Sequence, residues 1–525
     1  MIYLKRNKGD EMKKNKNEDN SRTKFFLKNI FSNFTYNILL NVFRFVSRII
    51  FIKVLGKLYL GVNGLLSNIL GILALSELGI GTAISFSLYK PLLNKENEEI
   101  NSLMKFYKKA YHIISLIVLI LGLVILPFLP HFIKDTNGID NLNIIYLIFL
   151  INMVIGYLFS YKRTLIIADQ KNYKIMPILI FYNFLTTVLQ ILSLLLFKNY
   201  IVYLLMQTIC IILENITVNS YIDKEYPFLD TNNAKKLSDV KLKKIKKDVK
   251  SLMFHKVGSY AVTSTDNLII STYIGIITVG IYSNYSLIIN TIASIIYVFI
   301  NNMTSSFGNL IANGDDSKSY QVFKEVSYLY FIMYAISFVC FLNLMNPFIE
   351  LVFGKDFLLS NLVVIVLIVN FYLMGMTNIM DIVKSAAGIY NEDKYVSLLQ
   401  AFINIVISII LANKLEILGV FIGTFISTLL PLIVKPIIVY KKVFKVAPIN
   451  YFKNLLYQIF LIFLSSVISY FSLKYISLSP ILNIVIRLII SVLIPGLVIY
   501  IFTKNSVEYQ SALNRLKFIL RRKHD

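Results

Sequence analysis

The chain has 525 residues, 56% of them hydrophobic and only 16% charged, with a formal net charge of +24. Soluble globular domains carry about 25% charged residues and disordered chains need low hydrophobicity, so both classes are excluded. The two cysteines and four histidines show no ligand spacing, which excludes a disulfide scaffold and a Cys/His metal site.

A membrane-crossing helix needs about 20 mostly apolar residues, and the chain offers about fourteen such stretches. In order they are 34–55, 62–89, 112–133, 142–160, 177–197, 200–222, 255–274, 280–311, 326–349, 361–381, 396–413, 417–440, 453–473 and 481–502. Pro177 stands at a helix start, where its missing N–H costs nothing. Pro431 and Pro436 fall inside the twelfth span and are expected to kink it. The predicted fold class is therefore an all-α polytopic membrane protein.

Lysine and arginine set the orientation, because cytoplasmic segments retain positive charge. With the N-terminus inside, the opposite loops hold only Lys57, Lys134, Lys198, Lys355, Lys414 and Lys474. The large remainder gathers on the inner side, which places both termini in the cytoplasm. This also accounts for the net charge without a nucleic-acid partner. The basic tail 1–33 has no apolar core of a cleaved signal, and 503–525 forms a second basic tail. Residues 223–254, with the run Lys241-Leu-Lys-Lys-Ile-Lys-Lys, form a cytoplasmic linker that separates six spans from eight.

An internal repeat supports two lobes. Leu55-Gly56-x4-Gly61-Val62 joins spans one and two, and Ile274-Gly275-x4-Gly280-Ile281 joins spans seven and eight, at an offset of 219 residues (275 less 56). Transporters are often built from such repeats.

No P-loop, zinc-protease motif or nucleophile elbow is present, so neither a catalytic residue nor a cofactor or metal is expected. The outer loops are short, which leaves little room for the acceptor site of a membrane glycan polymerase or ligase. Ionisable groups in the membrane then carry the chemistry, since each costs roughly 2.5–3.5 kcal/mol at mid-bilayer. Asn37, Asn41, Arg44 and Arg48 recur at spacings of 4, 3 and 4 on one face of span one. Guanidinium grips phosphate bidentately, so the arginines are candidate substrate ligands; a buried ion pair or snorkelling is the structural alternative. Glu77 in span two is the candidate counter-ion of Arg44, or a coupling carboxylate. Span seven repeats the stripe with His255, Ser259, Thr263 and Asp266, of which Asp266 is a coupling or counter-ion candidate and Ser259 and Thr263 are cavity candidates, interhelical hydrogen bonding being the alternative. Span eight adds Ser283, Asn290, Ser294, Tyr297 and Asn301, with Asn290 the cavity candidate. Glu214 and Arg487 are weaker candidates.

Leu55-Gly56-x4-Gly61 followed by Ser76-Glu77-Leu-Gly-Ile-Gly81-Thr82-Ala83-Ile84 resembles the start of Wzx-like polysaccharide-export flippases, as does Asp266-Asn267-Leu-Ile-Ile followed by Gly280-Ile281-Tyr282-Ser283. That family belongs to the multidrug/oligosaccharidyl-lipid/polysaccharide (MOP) exporter superfamily. The resemblance implies two pseudo-symmetric six-helix lobes forming a V, at 34–222 and 255–440, with two additional C-terminal helices within 441–502. It implies a monomer in the bacterial cytoplasmic membrane that moves undecaprenyl-diphosphate-linked oligosaccharide outward for cell-surface polysaccharide synthesis, in contact with membrane lipids and polysaccharide assembly proteins. The family's cavity tends to be cationic, which Arg44 and Arg48 match. A cation-coupled multidrug exporter of the same fold is the alternative, but it usually carries an acid in span one, where this chain has two arginines.

Overall fold

The computed structural model describes residues 2–513 except 78–79, 135–137, 244, 248, 250–263, 302–306, 308–309, 312–315, 390–391, 475, 477–478 and 512. Side chains are described from 32 onward, with 33–34, 82–83, 299–301 and 394 also left out. Among the described residues there is no strand. The helices are α1 (Ile2–Leu73), α2 (Ile80–Asn94), α3 (Asn97–Ile125), α4 (Leu142–Ala168), α5 (Met176–Phe197), α6 (Tyr200–Glu225), α7 (Ile276–Asn301), α8 (Asp316–Phe353), α9 (Asn361–Ala387), α10 (Lys394–Lys442), α11 (Ile449–Leu473) and α12 (Pro480–Thr503). A helical segment at 264–269 runs into a π-turn, Ile270–Ile274, just before α7. Ten of the described helices are long and apolar enough to cross a membrane. Helices suit this setting because each satisfies its own backbone hydrogen bonds where no water can.

Two long helices are bent pairs. α1 breaks at Gly56 (φ 77°, ψ −172°), and α10 breaks at Glu416 (φ 51°, ψ −134°). Pro431 and Pro436 sit inside α10 without leaving helical dihedrals, so its sharp break lies at Glu416 instead. Pro177 occupies the first turn of α5, as its chemistry predicts.

The chain divides into two compact units. The first comprises Met1–Gly56, Leu73–Leu129 and Ile139–Met253; the second comprises Lys57–Ile72, Pro130–Gly138 and Phe254–Asp525. The second half of α1 thus packs with the second unit. In the first unit the linker is fastened along the start of α3. Asn101 donates to the Phe228 carbonyl at 2.9 Å, Lys105 donates to the Ala234 carbonyl at 2.7 Å, and Lys235 pairs with Glu98 at 2.8 Å. Lys241 pairs with Glu99 one residue further along α3.

The glycine repeat has a structural counterpart. Gly56 and Gly275 both hold positive φ (77° and 146°) at helix breaks, a conformation that side chains strain. Within the second unit, Gly61 and Gly280 face each other where α1 crosses α7. A Cβ on Gly61 would run into the Ile276 carbonyl oxygen, and one on Gly280 into the Lys57 carbonyl oxygen. Small residues permit this close backbone approach, and close packing is what holds helices together in lipid. Neither carbonyl can swing aside like a side chain. Gly61→Val and Gly280→Val are therefore each expected to lower the melting temperature in detergent, with about 1–3 kcal/mol lost to overpacking. Unchanged melting of both variants would remove this crossing from the account of the fold.

Candidate functional site

In the first unit, α1 carries the polar stripe toward α4, α5 and α6. Arg44 is exposed, while Arg48 is half-buried beside Tyr203 and Arg44. Two turns before Arg44, Tyr36 lies within electrostatic reach of Arg44, Arg163 and Glu214 and hydrogen-bonds with Asn183. Arg163 on α4 approaches Glu214 on α6 at 3.7 Å. Among the described residues the tract therefore holds three guanidinium groups, Arg44, Arg48 and Arg163, against the carboxylate of Glu214. Among the described residues no ion pair engages Arg44. Asn37 and Asn41, half-buried, lie on the same helix.

Glu77 is not the partner of Arg44: no ion pair joins the two side chains. Helix α1 ends at Leu73 and passes through a 3-10 turn, Ala74–Glu77, which turns the Glu77 side chain toward α3. There Tyr111 donates its hydroxyl to the Glu77 carboxylate at 2.7 Å. Tyr107 stands edge-on to Tyr111 at 4.5 Å between ring centres, and its hydroxyl shares a hydrogen bond with Thr164 at 2.9 Å. Gly81 lets α2 lie against this group, since a Cβ there would meet the Glu77 carboxylate at 2.7 Å and the Tyr111 hydroxyl at 2.9 Å. Helix geometry alone placed Arg44 and Glu77 at compatible depths; the 3-10 turn rotates Glu77 to a different neighbour.

In the second unit, Asp266 is buried among oxygen-bearing side chains. Thr424 donates to its carboxylate at 3.2 Å, and Asn404 donates to the Thr424 hydroxyl at 3.0 Å. Thr265 reaches the Asn404 carbonyl oxygen at 3.3 Å, and Ser408 donates to the Val420 carbonyl at 3.1 Å. The two halves of α10 are drawn together by Gly419 and Gly423, where a Cβ would collide with Leu411 and Ser408. That approach sets Thr424 against Asn404. A buried carboxylate ringed by hydroxyl, amide and carbonyl oxygens is a donor set that suits a hard monovalent cation or a proton.

Asn290 on α7 is exposed and donates to Ser286 at 2.9 Å. Ser259, Thr263 and His255 lie outside the described residues. Arg487 on α12 does not point freely outward: it donates to Asn483 at 2.9 Å and to the Asn343 carbonyl at 3.3 Å. Sequence reasoning missed Arg163, Asn404 and Thr424. Arg163 lies three residues beyond the apolar window that defined span four, yet α4 continues to Ala168. The signal for Thr424 was available in the Gly419-x3-Gly423 pair just before it.

Comparison with known proteins agrees with this architecture. The chain resembles the lipid II flippase MurJ in its inward closed conformation, at a TM-score of 0.66 and 15% identity, over 90% of this chain and 98% of that one. It also resembles an inward-facing multidrug resistance MATE family transporter of the MOP superfamily, at a TM-score of 0.60 and 15% identity, over 76% and 92% of the two chains. A third similar structure is the Vibrio cholerae MATE transporter VcmN in its bent form, at 0.55 and 13% identity, over 81% and 98%. These likenesses show the fold, which is that of the MOP transporters. No curated protein sequence matches the chain. The polysaccharide biosynthesis protein family matches residues 26–307, more than half of the chain, so this multi-pass membrane protein belongs to that family.

Proposed function

We propose that the protein is a flippase that carries undecaprenyl-diphosphate-linked oligosaccharide to the outer leaflet of the bacterial cytoplasmic membrane by alternating access, with both termini cytoplasmic. The observation that carries this reading is the Arg44–Arg48 pair on a membrane helix that has no acid in its span. Arginine stays charged in a low-dielectric setting and matches the fork of a phosphate oxygen pair. A cation-exporting relative would be poorly served by two guanidinium groups at that place. The family membership and the likeness to a lipid II flippase support the same substrate class.

The sequence carries no P-loop, so the driving force in this reading is an ion gradient, the membrane potential or the downhill flow of substrate. An anionic diphosphate leaving a negative cytoplasm releases about 2.3 kcal/mol per charge per 100 mV. The Asp266 cluster supports a second contribution, from a cation or proton that binds and leaves once per cycle. The test uses purified protein in proteoliposomes with lipid-linked oligosaccharide extracted from the source cells. Appearance of the headgroup in the outer leaflet is followed while valinomycin and a potassium gradient impose an inside-negative potential. Flipping is expected to accelerate with the potential. Flipping indifferent to voltage but dependent on a sodium or proton gradient would assign the drive to Asp266, and failure to move any lipid-linked oligosaccharide would overturn the proposal.

A further inference from the structure

The second unit contains a groove of about 1140 Å³ that shares no residue with the Asp266 cluster. Its walls are apolar, with Phe338 of α8, Val369 of α9, Leu429 of α10 and Phe463 of α11 among the residues that line it. That volume exceeds the roughly 300–1,000 Å³ of an ordinary small-molecule pocket. Ile365, Phe463 and Phe471 on its walls are exposed, so the groove opens onto the outside of a membrane-spanning bundle. Its polar residues gather at one end, where α8 stops and α12 starts: Asn346, Glu350, Asn361 and Arg487. Away from that end, Tyr372 donates to Gln458 at 3.4 Å and ties α9 to α11.

The placement of Arg487 follows in part from a proline. Pro347 lies inside α8 and has no N–H, so the Asn343 carbonyl one turn earlier loses its helical donor. Where no water reaches, such a carbonyl must be answered from within the protein. Arg487 answers it. One terminal nitrogen donates to the Asn343 carbonyl at 3.3 Å, while Nε donates to Asn483 at 2.9 Å. Both acceptors are neutral. An uncharged amide would satisfy that carbonyl as well, so the positive charge is more than the helix repair requires. Among the described residues no carboxylate forms an ion pair with Arg487, and Glu350, at the same end of the groove, pairs with Lys355 at 3.8 Å. The mouth therefore carries one uncompensated positive charge. A cation in an apolar setting is costly until an anion meets it.

Length and charge together select the occupant. Tyr372 lies eleven residues into α9 from Asn361 (372 less 361), about 16 Å at 1.5 Å per residue. That is close to the hydrocarbon depth of one leaflet, about 15 Å of a core about 30 Å thick. An acyl chain of ordinary length spans it, whereas a polyprenyl tail is much longer. Lys355 already answers Glu350, which leaves no carboxylate at the mouth for the ammonium of a zwitterionic headgroup. The guanidinium fork matches a pair of phosphate oxygens.

We propose that this groove is a site for a diacyl phospholipid of net negative charge, of the phosphatidylglycerol type. Its phosphate sits on Arg487 and its acyl chains lie along Phe338, Val369, Leu429 and Phe463. The lipid is a fixed component of the second unit, separate from the transported substrate, so the assignment does not depend on the flippase reading.

The experiment is native mass spectrometry of the purified full chain. The protein is incubated in detergent with an equimolar mixture of phosphatidylglycerol, phosphatidylethanolamine and undecaprenyl phosphate, the two phospholipids having identical acyl chains. Wild type is expected to retain phosphatidylglycerol about tenfold in preference to phosphatidylethanolamine, the size of one hydrogen bond to a charged group. Arg487→Gln keeps a donor for the Asn343 carbonyl and removes the charge, so it should bring that ratio close to one. Melting temperature reports folding, and added phosphatidylglycerol should raise it in wild type but not in Arg487→Gln. Ser466→Phe, on the α11 wall, leaves Arg487 in place and narrows the groove; it should lower phosphatidylglycerol retention several-fold, and it carries the test if Arg487→Gln does not fold. Equal retention of the two phospholipids by wild type, an unchanged ratio in a folded Arg487→Gln, or unchanged retention in Ser466→Phe would overturn the proposal. Preferred retention of undecaprenyl phosphate would also overturn it and give the groove to a polyprenyl tail. Transport is not measured in any of these arms, so the flippase reading stands or falls separately.

Discussion

Arg44→Ala is expected to abolish export while the protein reaches the membrane at near-normal level. The side chain is exposed and forms no ion pair with Glu77, so its removal strands no buried counter-charge. Stability therefore has little to lose. Transport has much more at stake, because a charge-assisted, bidentate contact to diphosphate is roughly twice as strong as a neutral hydrogen bond and adds geometric specificity. A fall of about a hundredfold or more in flipping rate follows from losing one such contact where charge must be held during passage. Arg44→Lys should retain partial activity, since the charge survives and the planar fork does not. Glu77→Ala should not rescue Arg44→Ala, because Glu77 is engaged by Tyr111 at 2.7 Å. The measurement is surface polysaccharide per unit of membrane protein, with melting temperature recorded alongside. Normal export by Arg44→Ala would remove the cationic site from the mechanism, and rescue by Glu77→Ala would make the pair structural.

Asp266→Asn is expected to uncouple transport from its ion. Asparagine keeps the shape and can still meet Thr424 and Asn404, so the packing around 264–274 should persist. It cannot carry the negative charge that a cation or a proton answers. In wild type, sodium or acidification should speed flipping, and whichever of them binds should raise the melting temperature by mass action. Both responses should vanish in Asp266→Asn. Thr424→Val should weaken the response by about tenfold while leaving the carboxylate in place, the cost of one lost hydrogen bond to a charged group. If Asp266→Asn keeps full ion dependence and only melts earlier, the cluster is interhelical glue of the ordinary membrane kind.

Much of this molecule could be read from the chain because lipid is a severe solvent. A membrane forces apolar runs of helical length, so the spans from residue 34 onward stand out before any packing is known. The same severity makes Arg44, Arg48 and Asp266 conspicuous, since a charge in an apolar run needs a reason to be there. The glycine repeat was legible for a related cause: at Gly56 and Gly275 the backbone takes positive φ, and at Gly61 and Gly280 two helices meet with no room for a side chain. Each of these is a local demand, imposed on a residue by its own backbone or its own depth.

Partnership was a different matter. Asp266 and Thr424 are 158 residues apart, and Lys435 reaches Asp381 across 54. Spacing along one helix states which residues share a face but not which other helix that face meets. The turn of Glu77 toward Tyr111 needed a 3-10 segment that depth arithmetic on straight helices does not contain. The pairing of Arg163 with Glu214 needed α4 to run on past its apolar window. What must lie in the membrane, and which groups are costly there, is written in the chain, because transfer from water acts on each residue separately. Who answers each charge depends on helix rotation and close approach, which many distant contacts set together.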